Sequence, residues 1–155
     1  MITAVNSIGD PRIIVLGPQS FMLDEPFTYQ WEATAWPWQR LTIERGFHFD
    51  GASIPRLVHP FIGTWDLGLM PPLIHDALYG CKGQIHKAWW IFHEVFNLET
   101  GWVSAQHIWT RKESDRMFGR HMREAYVPSW RRTSAYRAVR LFGRGAWNHT
   151  PLLID

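Results

Sequence analysis

A single cysteine, Cys81, rules out an internal disulfide and a thiolate-rich metal cluster. No apolar run approaches the roughly 20 residues that a helical bilayer crossing takes, so no membrane contact is expected. The opening stretch, MITAVNSIGDPR, lacks a basic start followed by an apolar segment, so a secretory signal is not expected. Together these absences point to a reducing cytoplasm, or to a particle assembled there. Internal repeats and low-complexity stretches are missing too. With 155 residues, 46% hydrophobic and 19% charged, the chain is expected to form one soluble domain over residues 1–155 with its own core.

Two features are over-represented instead. The ten tryptophans exceed what a core of this size needs. Charge is also split along the chain: residues 1–110 together with Asp155 hold 6 Lys/Arg against 11 Asp/Glu, whereas residues 111–145 hold 10 against 3. A basic C-terminal third suits nucleic acid, an acidic partner, or the acidic first part of the same fold.

The first 60 residues read as strands. RIIVLG stops at Gly17-Pro18, SFMLDEPFTYQWEA breaks at Asp24-Glu25-Pro26, and QRLTIERGFHF alternates apolar with polar residues. Period-two alternation with turns at these intervals predicts a small antiparallel sheet. From residue 71 the pattern becomes helical. Pro72 suits a helix start and Gly80 a stop; Thr110 with Glu113 forms a capping box; Ser134 and Gly143 suit the cap and terminator of a third helix. The fold class expected is therefore α+β, a small N-terminal antiparallel sheet followed by about three helices.

Between the first two helices lies HKAWWIFHEVFNLETGWVSAQHIWT. It reads as an aromatic β-hairpin turning near Leu98–Gly101, with a helix over residues 87–98 as the competing assignment. Trp89, Ile91, His93 and Val95 would share one face; Trp90, Phe92, Glu94 and Phe96 the other. Two apolar faces need cover, either from the chain itself or from a protein partner or second copy held by Trp89, Trp90, Phe92, Trp102 and Trp109.

The polar residues carry the chemical question. Phe118, Met122 and Ala125 define a buried stripe on the second helix, and stepping back along it gives Asp115 and then Arg111. A carboxylate facing inward needs a cation, a donor or a metal. His75 and Tyr79, four residues apart, share a face of the first helix, while Asp76 points about 100° away. The loop after Asp50 supplies Ser53 and Arg56, stiffened by Pro55. These segments are expected to converge in one cleft open to solvent.

FDGASIPR, IHDALYG, TRKESDRMF and YRAVRLFG, in that order, resemble the signature of an uncharacterised family of short, mostly phage-encoded proteins. The resemblance spans residues 47–147 and departs from the family in Ile85–Trp109, where members are commonly shorter. It implies a phage origin, hence a bacterial host cytoplasm or a virion, and an α+β fold; it supplies no activity.

Several chemistries fit the residue types. In a metal-dependent hydrolase, His75, Asp50 and Asp115 would hold Zn, Mn or Mg and generate hydroxide. Asp76 would join the catalytic set, Ser53, Arg56 and Arg111 would bind an anionic substrate, and Tyr79 would position it. His-Asp phosphohydrolases are a poor analogy, since they need an earlier helical His where this chain offers His48 and His59 in a strand and a loop. A triad of Ser53, His75 and Asp50 or Asp115 lacks the Gly-x-Ser-x-Gly elbow. A buried His–Asp–Arg–Tyr network could instead be purely structural. Arg131, Arg132, Arg137, Arg140 and Arg144 are dense enough to meet phosphates, although Arg137, Arg140 and Arg144 also fit a solvated helix face. Tryptophans suit the sugars of peptidoglycan, but no pair of catalytic carboxylates stands beside them. The expected function is thus a phage accessory protein with a candidate hydrolytic site. The alternative is a non-catalytic virion or assembly component whose Trp-rich hairpin binds a partner.

Overall fold

Alternating apolar residues from Phe27 to Ile43 zip two strands together and leave one face to be covered. A computed structural model describes residues 10–18, 20–33, 36–50 and 67–149. In it β3 (Phe27–Ala33) pairs antiparallel with β4 (Trp36–Ile43). Phe27, Tyr29, Trp31, Leu41 and Ile43 are buried on one face, and Thr28, Gln30, Arg40 and Thr42 lie on the other. Before this pair, β1 (Ile13–Gly17) and β2 (Ser20–Leu23) form a hairpin that β5 (His48–Phe49) extends into a separate three-stranded sheet. Among the described residues, two antiparallel sheets and three α-helices make the class α+β, as expected.

The aromatic segment is a hairpin, and it is part of the main sheet rather than an appendage. β6 (Ile91–Asn97) pairs with β4, β7 (Gly101–Ser104) pairs with β6, and the four-stranded order is β3-β4-β6-β7. Asn97 fixes the turn: its Oδ1 accepts from the backbone N–H of Glu99 at 2.8 Å and of Thr100 at 3.2 Å, and Gly101 takes φ 77°. Register sets Ile43 against Ile91 and Leu41 against His93, so Ile91 and His93 join the buried face. On the outer face Arg40 Nε meets Glu94 at 2.6 Å.

α1 (Met70–Gly80) covers the buried face with Leu73, Ile74, Ala77 and Leu78. Leu73, Ile74 and Leu78, fully buried, contribute about 1.5–3 kcal/mol each. Pro71 and Pro72 sit in the first turn, where their missing N–H groups are not needed. The stop is displaced from Gly80, which is still helical, to Lys82 (φ 49°) and Gly83 (φ 70°). Gly83 admits no side chain, because a Cβ would fall on the Trp109 carbonyl; its own carbonyl accepts from Trp109 N–H at 3.0 Å.

α2 (Arg111–Glu124) starts with the expected capping box: Thr110 Oγ1 accepts from Glu113 N–H at 3.2 Å while Thr110 N–H donates to Glu113 Oε2 at 2.7 Å. It ends in a Schellman motif, with Val127 N–H on the Met122 carbonyl and Tyr126 N–H on that of Arg123. Ala125, expected on the buried stripe, is the exposed C-cap beyond the last helical residue. The left-handed position that glycine usually fills is taken by Tyr126 at φ 57°, at a cost of about 1–2 kcal/mol.

α3 is longer than the sequence suggests. It runs Ser129–His149, not from Ser134 to Gly143. Ser134 is not a cap, since its hydroxyl donates one turn back to the Trp130 carbonyl at 2.8 Å. Gly143 is not a terminator; it stays helical because its bare backbone lets α3 approach Tyr79 of α1. Ala135, Ala138 and Val139 then pack on Phe118 and Met122, forming a second small core between α2 and α3. Among the described residues, no helix is long and apolar enough to cross a membrane.

Candidate functional site

Helical spacing does the first part of the assembly. His75 and Tyr79 lie one turn apart on α1, Arg111 and Asp115 one turn apart on α2, and the capping box at Thr110 fixes where α2 begins. Packing of α1 on α2 then brings the pairs together. Asp115 is wholly buried, His75 and Tyr79 almost so. Tyr79 Oη donates to Asp115 Oδ1 at 2.6 Å, and His75 Nε2 lies 3.0 Å from the same oxygen. Arg140 of α3 donates to Oδ2 from Nη1 at 2.6 Å, and Arg111 Nη1 lies 3.4 Å from it. Arg111 also donates to the α3 carbonyls of Val139 (3.2 Å) and Arg140 (3.3 Å). One carboxylate thus links three helices.

Its electrostatics follow from those donors. Burial alone would raise the Asp115 carboxyl, but hydrogen bonds from His75, Tyr79 and Arg140 outweigh it and hold the group below the usual carboxylate range. His75 moves the other way. Burial pushes it below the ordinary histidine value despite Asp115, so the ring is neutral and its Nε2–H is the donor. Burial, and then the bond to Asp115, raise the Tyr79 hydroxyl. The arginines remain partly solvated, with side chains 21% exposed at Arg111 and 30% at Arg140.

A carboxylate offers about four acceptor positions, and four donors approach this one. Both oxygens are therefore engaged by the protein's own donors. The expected cleft open to solvent is, at Asp115, a sealed junction. Of the expected metal trio of Asp50, His75 and Asp115, His75 Nε2 and both Asp115 oxygens are engaged within the protein, and among the described residues no three His, Cys, Asp or Glu side chains are grouped to hold a metal.

The other sequence-derived candidates divide. Asp50 lies close enough for its charge to act on His75, and its backbone N–H reaches Asp76 Oδ2 at 3.3 Å. Asp76 is half-buried, on a different side of α1 from His75, as the 100° step requires. Ser53 and Arg56 lie outside the described residues. Of the aromatic set, Trp90 and Trp109 are core residues and drop out of any partner surface: Trp90 stacks on Phe47 at 5.9 Å and Trp109 lies 5.4 Å from the His93 ring. They precede and follow the hairpin strands, so the period-two alternation does not govern them. Trp89 and Phe92 are exposed, and Trp102 is half-buried beneath Arg40, whose guanidinium sits 4.2 Å from its ring.

Two polar links were missed. By spacing Arg140 belongs to a solvated stripe with Arg137 and Arg144, yet it flanks buried Val139 and reaches Asp115. The other is Tyr29, whose hydroxyl lies 2.9 and 2.8 Å from the two Glu124 oxygens and ties the sheet to α2. Only the spacing of Arg120 and Glu124, which pair at 2.9 Å, hinted at it.

One family model matches residues 21–139, from β2 into α3. The chain belongs to that family. It is DUF1353, proteins of unknown function. The DUF1353 match encloses His75, Tyr79, Arg111 and Asp115 and ends one residue short of Arg140. No curated protein and no solved structure matches the chain.

Proposed function

We propose that this DUF1353 protein is a non-catalytic component of a phage particle or of its assembly. The observation that carries this is the saturation of Asp115: sealed, ionised and bonded from three helices, it acts as a clamp. The outer face of the four-stranded sheet, with Phe92, Phe96 and Trp102 adjoining exposed Trp89, is then the surface for a protein partner. The phage setting draws its support from the four ordered motifs. The competing reading, a hydrolase using Zn, Mn or Mg, would need His75 and Asp115 to exchange their present partners for an ion.

Elemental analysis of protein purified without added metal separates the two. Substoichiometric metal, with His75→Ala lowering stability but leaving infectivity of a phage carrying it intact at permissive temperature, fits the clamp. One equivalent of Zn or Mn that disappears in Asp115→Asn would reinstate the hydrolase.

A further inference from the structure

Outside the clamp, α2 and α3 enclose a second feature with the opposite character. A groove of about 1360 Å³ opens between the start of α1, the C-terminal half of α2 and the start of α3. Arg116, Arg120 and Arg123, at helical spacings of four and three, line its α2 side, and Arg132 and Arg137 line its α3 side. Among the described residues two acids, Asp10 and Glu124, stand against these five cations, and Glu124 already receives Arg120 and Tyr29. Arg116, Arg123 and Arg137 are exposed and pair with no carboxylate among the described residues. Arg120 Nη2 is buried with no hydrogen-bond partner among the described residues. A concave surface that carries three guanidinium groups without a carboxylate partner among the described residues concentrates anions, and the planar fork suits phosphate.

The aromatic residues of the groove narrow the anion. Tyr126 is 93% exposed and sits in the left-handed backbone region that a tyrosine adopts only at a cost. That backbone position aims no packing contact inward, so folding alone does not account for an aromatic there. Tyr136, half-buried, lines the same groove from α3. We infer that this groove binds a short segment of single-stranded nucleic acid, its phosphates on Arg116, Arg123 and Arg137 and a base on Tyr126. An acidic peptide would answer the charge but leave the tyrosine faces unused. A duplex keeps its base faces inside the stack, where Tyr126 cannot reach them. The volume also exceeds the 300–1,000 Å³ or so typical of a pocket for one small ligand, and suits several linked nucleotides.

The test is fluorescence anisotropy of a labelled ten-nucleotide oligothymidylate, titrated with the intact protein across a salt series. Three phosphate contacts predict a slope of log K against log salt of about −2, from about 0.7 per contact on single strands. Arg116→Gln combined with Arg123→Gln, both exposed, should flatten the slope by about 1.4 and weaken binding about 25-fold at 0.1 M salt. Tyr126→Gly removes the stacking face while relieving the backbone, so it should weaken binding about tenfold without lowering Tm. Arg144→Gln, outside the groove, should bind as wild type. Absence of binding to the oligonucleotide overturns the inference. So does wild-type affinity in Tyr126→Gly, or equal competition by a ten-residue polyglutamate or by a duplex of the same length.

Discussion

Replacing Asp115 by alanine removes the acceptor for four donors at once, and its cost can be worked from their surroundings. His75 Nε2–H and Tyr79 O–H lose their acceptor inside a sealed junction, since both residues are at most 4% exposed. Each stranded donor costs about 1–3 kcal/mol. Arg111 and Arg140, with side chains 21% and 30% exposed, can turn back to water and add less. The sum is about 3–5 kcal/mol, the range found when one partner of a buried ion pair is removed. Asp115→Asn should cost less, about 2 kcal/mol, because the amide oxygen can keep the arginines while the Tyr79 hydroxyl rotates to accept from the amide. Urea unfolding followed by tryptophan fluorescence is the assay. With a slope near 2 kcal/mol/M, the alanine variant should shift the midpoint by about 2 M. A cycle pairing Asp115→Ala with Arg140→Met should show coupling above about 0.5 kcal/mol. If Asp115→Ala costs less than about 1 kcal/mol with an unchanged slope, the carboxylate is no clamp.

Two further outcomes follow from the same packing. In Gly143→Ala the new Cβ would lie 2.7 Å from Tyr79 Oη; the overpacking, about 1–3 kcal/mol, should exceed the roughly 1 kcal/mol of helix propensity gained, and the penalty for Gly143→Ala in thermal unfolding should be smaller in a Tyr79→Phe background than in wild type. Stability should also fall in mild acid. Burial, reinforced by nearby positive charge from Arg120, lowers His121 to about 3, and burial lowers His93 to about 4. Both are neutral when folded and protonate on unfolding, so stability is fullest above pH 6.5 and declines by about 1.4 kcal/mol per pH unit for each as pH falls toward those values. His121→Phe should flatten that decline in urea midpoints measured from pH 7 to 5, and an unchanged slope would refute the assignment.

How much was legible varies with the range of the interaction. Thr110 and Glu113 are three residues apart, so their capping box is legible in the chain, and both of its hydrogen bonds are present. Asp115 was placed on an inward face by periodicity alone, and His75 with Tyr79 on a common face by the same rule. Gly143 misled because glycine signals a helix end only when nothing else requires its small size, and here Tyr79 does. Arg140 misled because a stripe of arginines looks solvated until a neighbouring helix supplies a carboxylate.

Local sequence therefore determined which segments become strand or helix and set His75, Tyr79 and Asp115 on inward faces, since backbone sterics and hydrophobic periodicity act over a few residues. Only the tertiary structure decided who meets whom: that Arg140 closes over Asp115, that Tyr29 reaches Glu124 across 95 residues of chain, that Trp90 and Trp109 are interior. The reason is desolvation. A charge or an aromatic ring has the same intrinsic chemistry in every sequence, and whether it serves as clamp, core or binding face depends on the water that distant segments displace from around it.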